Sequence, residues 1–210
     1  MNDPQVLLKQ FKALLSEQKF QEAEEMLFEE VYDVEDRMED ISEERYQKIE
    51  QHWSAVETGE VISTPVEILY LINKKAKFKT NISFVDLGCG HGFPCIVLGA
   101  LNPTMHFTGI DLVQEKVEGA RKTAEKFGLT NTDFITKDLS VSSYTLPQAD
   151  YYYIHNPFND DVCEHVIKSL SFYSASKVIS TDGRETKYLQ KFGFKPYMEI
   201  KPYKIKFYSL

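Results

Sequence analysis

Three glycines alternate at Gly88, Gly90 and Gly92, directly after Asp86 and before the apolar stretch Phe93 to Leu101. Glycine tolerates positive φ and carries no Cβ, so a ligand can lie on such a backbone and meet the amides at the start of the following helix. The chemistry suggested is the holding of a charged, nucleotide-like cofactor. The dinucleotide fingerprint G-x-G-x-x-G would need its third glycine at Phe93, counting from Gly88, or at Cys95, counting from Gly90. That spacing disfavours a nicotinamide oxidoreductase, and Asp86 is placed to reach an ammonium group rather than a pyrophosphate. Pro94 fits the first helical turn, where its missing N–H costs nothing.

The elements around this loop alternate in a regular way. Ile82 to Val85 reads as a buried strand and Phe93 to Leu101 as the helix after it. His106 to Ile110 is a second strand ending at Asp111, Val113 to Phe127 a helix stopped by Gly128, and Asp133 to Thr136 a third strand ending near Asp138. Asp150 to His155, rich in tyrosine, is a fourth strand and Asp160 to Leu170 its helix. Lys177 to Ser180 is a fifth strand, with a helix from about Gly183 to Lys191. This pattern predicts an α/β fold, a doubly wound and mostly parallel sheet with helices on both faces. The tail differs: Pro196 to Ile200 and Tyr203 to Leu210 are β-rich runs whose link at Lys201 and Pro202 leaves no room for a helix, so an antiparallel hairpin is expected. In such a sheet ligands gather at the carboxyl ends of the strands. Asp86, Asp111, Asp138 and Asn156 all fall there, and Asp111 is suited to accept two ribose hydroxyls.

Asp86-x-Gly88-x-Gly90-x-Gly92 resembles motif I of the class I, seven-strand S-adenosylmethionine-dependent methyltransferases, and the likeness covers about residues 60 to 210. It implies S-adenosyl-L-methionine as cofactor. It also implies Asp86 and the amides of Gly88 to Gly92 at the methionine part, Asp111 at the ribose, Leu112 as a further cofactor contact, and Asp138 with Leu139 at the adenine. His155-Asn156-Pro157-Phe158 resembles the Asn/Asp-Pro-Pro-aromatic step of amino-group methyltransferases, with one proline fewer. By that resemblance Asn156 is the catalytic residue, holding an acceptor nitrogen so that its lone pair faces the methyl, and Pro157 and Phe158 complete the acceptor site. His155, Tyr151, Tyr152 and Tyr153 are candidates to help a proton leave. The helical N-terminal part and the Asn-Pro-Phe step are similar to the non-SET protein lysine methyltransferases. The expected reaction is methyl transfer to an amino nitrogen of a protein or small molecule; a non-catalytic scaffold that keeps the fold is the alternative.

Charge divides the chain near residue 60. Residues 1–60 hold 17 acids and 6 bases, residues 61–210 hold 15 acids and 18 bases. The first part reads as an acidic helical extension at 1–60 preceding a cofactor-binding domain at 61–210. Leu7, Phe11, Leu14 and Leu15 recur at helical spacing, as do Phe20, Ala23, Leu27 and Val31, and a third helix is expected from Asp33 to Gly59. The acidic face favours a basic protein as methyl acceptor and disfavours nucleic acid. The lysines at 74, 75, 77 and 79 read as a helix end rather than a nucleic-acid patch. Thr64, Pro65 and Glu67 form a capping-box pattern for a helix starting at 65, and Gly59 to Thr64 is a candidate lid. Cys89, Cys95 and Cys163 lack metal-ligand spacing, so reduced thiols and no metal are expected, with Cys89 a packing residue in the loop. No apolar run approaches the roughly 20 residues that span a bilayer, and no signal peptide is evident. A cytoplasmic monomer or dimer is the expectation.

Overall fold

The computed structural model describes residues 3–31, 63–181 and 183–210. Two helices come first, α1 (Pro4–Ser16) and α2 (Phe20–Val31), and then α3 (Val66–Ala76). The alternating part follows as β1 (Ser83–Leu87), α4 (Phe93–Leu101), β2 (His106–Asp111), α5 (Gln114–Lys126), β3 (Thr132–Thr136), β4 (Tyr151–Ile154), α6 (Asp160–Leu170), β5 (Lys177–Ser180) and α7 (Glu185–Lys191). The chain closes with β6 (Lys195–Ile200), a 3-10 turn at Lys201–Tyr203, and β7 (Ile205–Ser209). The seven strands form one sheet in the order β3-β2-β1-β4-β5-β7-β6. The first five are parallel, while β7 runs antiparallel between β5 and β6. Strand order reverses between β1 and β4, and there the ends of β1 and β4 open a crevice. Among the described residues no helix is long and apolar enough to cross a membrane.

Alternation along the strands divides the core into two layers. Phe84 and Tyr153 face α3, α4 and the N-terminal helices, whereas Val85, Leu87, Tyr152 and Ile154 face α6 and α7. Asp86, two residues from Phe84, therefore lies on the layer that α1 to α5 cover. The acidic N-terminal helices bury their apolar stripes in that layer: Phe11 meets Phe127 edge-on at 5.1 Å and Phe28 meets Phe93 at 5.0 Å. Glu24 Oε2 accepts the Val66 N–H at 3.3 Å and Glu30 pairs with Lys126 at 2.6 Å, so several acids of α2 face this part of the protein.

Three local expectations meet a different outcome or lie elsewhere. The helix expected from Asp33 to Gly59 falls outside the described residues. The capping box at Thr64 does not form: Pro65 is the cap residue of α3 without a side-chain bond. The Thr64 hydroxyl turns into the sheet, and Glu67 accepts from the Tyr203 hydroxyl at 3.1 Å. The link between the last strands does hold helical turn, a single 3-10 turn closed by Lys204 at φ 52°.

Candidate active site

The glycine loop is fastened to the end of β2. Gly88 and Cys89 N–H donate to the Ile110 carbonyl at 2.8 and 3.0 Å. Gly90 N–H donates to Asp111 Oδ2 at 2.8 Å, and Val113 N–H donates to Asp111 Oδ1 at 2.9 Å. Asp111 thus ties the loop to the start of α5, and each carboxylate oxygen keeps a further lone pair for a ligand. Gly88, Gly90 and Gly92 all have positive φ. They differ in what a side chain would meet. At Gly92 a Cβ would strike Phe134 and Ala120, a packing constraint, and at Gly88 it would strike the Pro157 ring. At Gly90 it would meet nothing within 4 Å, so this stretch of backbone is open to a ligand.

Beneath the loop lies Asp86, 2% exposed and within β1 rather than after it. Burial, and then the charge of Asp111, push its carboxyl well above the usual 3.8. Its Oδ2 has no hydrogen-bond partner among the described residues. A buried carboxylate oxygen left so is costly unless a donor or cation completes it. The donor set fits a cofactor bearing an ammonium and a ribose. Cys89 is buried, its thiol raised well above 9.0 by desolvation, and its Sγ fills the space left by Gly109. It is packing, as expected. Cys95 and Cys163 are likewise buried, and no metal-binding cluster occurs among the described residues.

A cleft runs from Gly88 and Asp111 along Leu112, Asp138 and Leu139 to Pro157 and Phe158. Its enclosed volume is about 50 Å³, well under the roughly 300–1,000 Å³ of pockets that take whole drug-sized ligands. Asp138 Oδ1 accepts the Ser140 N–H at 3.0 Å and its hydroxyl, fixing the turn that presents Leu139 to the cleft. Val113, Lys137, Ser140 and Val162 line it too. The sequence reading missed these four; nearness to strand ends marked Val113, Lys137 and Ser140, while Val162 lies in the first turn of α6 and carried no such signal.

At the end of β4, Asn156 adopts a left-handed φ of 47°, Pro157 packs on Gly88, and Phe158, 8% exposed, closes the cleft. The proton-accepting candidates separate. Tyr151 starts β4 at the opposite pole, against Phe78 and Lys177. Tyr152 donates to the Pro147 carbonyl at 2.7 Å on the other layer, with its hydroxyl pushed up to about 12 by burial. Tyr153 and His155 both bond the Thr64 hydroxyl at 2.6 Å. Burial keeps Tyr153 protonated and lowers His155 to about 4, leaving its ring neutral. Of the candidate lid from Gly59 to Thr64, Ser63 and Thr64 fall among the described residues. Thr64 is locked to β4 by its two bonds.

A family model described as a methyltransferase domain matches residues 78–184. The ribosomal RNA small subunit methyltransferase G of Porphyromonas gingivalis is 33% identical over 105 residues, 43% of this chain and 47% of that protein. The protein of the same name from Bacteroides fragilis, strain ATCC 25285, is 30% identical over 154 residues, 69% of this chain and 68% of that protein. The matched part of the chain thus spans about half the length of the Porphyromonas protein. Among solved structures, the precorrin-6y C5,15-methyltransferase of Geobacter metallireducens shares the fold with a TM-score of 0.57 at 15% identity, over 72% of this chain and 92% of that one.

Proposed function

The chain belongs to the Rossmann-like S-adenosylmethionine-dependent methyltransferases, and from that membership we propose that it transfers a methyl group to a base of small-subunit ribosomal RNA. The observation that carries the acceptor is the similarity to the Bacteroides fragilis ribosomal RNA methyltransferase over 68% of that protein. The same relatives overturn the expectation of a basic protein acceptor with nucleic acid disfavoured. That expectation let the acidic face of residues 1–60 stand for the acceptor side, whereas residues 61–210, which carry the cleft, hold more bases than acids.

S-adenosylmethionine supplies a methyl group on a sulfonium sulfur, electrophilic enough for direct displacement. The residues of the chain bind and orient. Asp86 accepts the ammonium of the methionine part, and the amides of the loop at Gly88 to Gly92 face that part. Asp111 accepts the ribose hydroxyls through its remaining lone pairs while still holding Gly90. Leu112, Asp138 and Leu139 bound the adenine. Asn156 orients the acceptor base and Phe158 flanks it, since a flat apolar ring stacks on any base. Alignment and exclusion of water supply much of the barrier reduction in such a displacement, up to about 7 to 11 kcal/mol.

Tritiated S-adenosylmethionine offered with a whole-cell extract lacking the protein, its small-subunit ribosomal RNA, protein and small-molecule fractions counted separately, tests this reading. Label should enter RNA and not the protein or small-molecule fractions. Asn156→Ala should keep S-adenosylhomocysteine affinity within a few fold while the rate falls by roughly two orders of magnitude, the mark of a contact made in the transition state. Label confined to protein, or an Asn156→Ala rate equal to wild type, overturns it.

A further inference from the structure

The acceptor step is gripped by the segment after β5. Glu185, the first residue of α7, is fully buried. Its Oε1 accepts the Ser180 hydroxyl at 2.8 Å, at the end of β5. The backbone N–H groups of Gly183 and Asn156 face the carboxylate and offset part of its desolvation, although Oε2 has no partner of strict hydrogen-bond geometry among the described residues. Gly183 is what lets the two side chains lie together: a Cβ there would fall 2.7 Å from Glu185 Oε2 and 3.1 Å from Asn156 Cβ. Beside them, Arg184 Nη1 donates to the Phe158 carbonyl at 3.1 Å and its Nε lies 3.7 Å from Asp160 Oδ1. Asn156 and Phe158 are thus held from one short segment. Asparagine takes the left-handed region more readily than most residues, so it is the neighbours of Asn156 that decide how firmly the turn is held.

We propose that Gly183, Arg184 and Glu185 form a clamp that holds the acceptor step in its left-handed turn, with Glu185 the positioning residue for Asn156. The proposal rests on reading Asn156 as the group that orients the acceptor. A buried carboxylate serves stability poorly, since an apolar residue of similar volume would pack there at less cost. It serves orientation well, because it takes the Ser180 hydroxyl at the end of β5 and lies across Gly183 from the Asn156 side chain.

The test compares the full chain with Glu185→Gln, Glu185→Ala and Gly183→Ala. Three quantities are read: kcat on small-subunit ribosomal RNA, S-adenosylhomocysteine affinity, and the backbone amide resonance of Asn156, with that of Gly90 as control. Glu185→Ala and Gly183→Ala should shift the Asn156 amide and lower kcat at least tenfold, with cofactor affinity within threefold. Glu185→Gln, which keeps an acceptor in place, should recover most of the loss. If Glu185→Ala does not fold, Gly183→Ala and Glu185→Gln carry the same comparison. An unmoved Asn156 amide, an unchanged kcat, or an equal loss of cofactor affinity overturns the clamp. A wild type inert on RNA, with the Asn156 amide still displaced in the variants, overturns the acceptor reading and leaves the clamp standing.

Discussion

Asp86 and Asp111 show how two carboxylates of one site take different work from their surroundings. Asp111 is held by two backbone amides, whereas Asp86 is buried with one oxygen lacking a partner, and its carboxyl is raised first by desolvation and then by Asp111. Folding therefore favours the protonated form of Asp86. Its contribution to stability is greatest at low pH and is lost as pH rises from the ordinary value of 3.8 toward the raised one. A bound ammonium reverses the preference and requires the carboxylate. Cofactor binding is thus expected to release a proton, and affinity to rise with pH through the raised titration of Asp86 and then level off. Calorimetry in two buffers of different ionisation enthalpy checks this. Equal binding enthalpies in both, or the same pH profile in Asp86→Asn, would remove Asp86 from the site. At Asp111, replacement by alanine removes charged hydrogen bonds of roughly 1.5 to 3 kcal/mol each, so S-adenosylhomocysteine should bind about a hundredfold more weakly to a protein that is still folded.

The entry into α3 joins the N-terminal helices to the site. Glu24 of α2 reaches the first amide of α3, and Thr64, one residue earlier than the Pro65 cap, bonds both Tyr153 and His155 at the end of β4. The Thr64 side chain is 3% exposed. Exchange for valine keeps the shape but leaves the buried Tyr153 hydroxyl and the half-buried His155 ring without that partner, at about 1 to 3 kcal/mol for each group left unsatisfied. Thr64→Val is therefore expected to lower the unfolding free energy by about 2 to 6 kcal/mol in urea titration, while Thr64→Ser stays near wild type. Equal stability of the two variants would mean that the hydroxyl is not what fastens this element. The bond also places His155, the neighbour of Asn156, on the underside of the acceptor step.

Two histidines, His91 buried and His155 half-buried, set part of the acid response of the whole molecule. His91 in the glycine loop and His155 after β4 are both lowered from 6.5 to about 4, mainly by burial. A lowered histidine means that the unfolded chain takes up the proton first. The stability that each neutral ring contributes is full above pH 6.5 and is lost as pH falls toward 4, on the order of 3 kcal/mol each at the limit. Asp86 and Glu185, both raised by burial, act with the opposite sign, so the comparison to make is between wild type and a His91→Gln, His155→Gln protein. The double variant should lose less stability than wild type between pH 6.5 and 4. Parallel stability curves would show that the two rings titrate as they do in the unfolded chain.

The amino-acid sequence by itself determined the order and kind of the elements. The α4, α6 and β5 spans agree with the periodicity residue for residue, because apolar runs and turn residues act over a few neighbours and need no partner elsewhere. It also determined the chemistry of the loop: the alternation of Gly88, Gly90 and Gly92 excluded a dinucleotide fingerprint, and an acid at the end of each early strand implied a site at that edge of the sheet. The tertiary structure decided what each residue spends its side chain on. Thr64 has the pattern of a helix cap but bonds Tyr153 and His155, a contact across 89 and 91 residues of chain that no local pattern encodes. Tyr151, Tyr152 and Tyr153 are adjacent in sequence yet differ in place: alternation sends Tyr152 to the other layer, and Tyr151 starts β4 while Tyr153 lies nearer the end that carries the site. Glu185 is far from Asn156 along the chain and beside it only because β4 and β5 pair in register, Ile154 opposite Ser180. Such proximity comes from the pairing of strands distant in sequence, which only the folded sheet fixes.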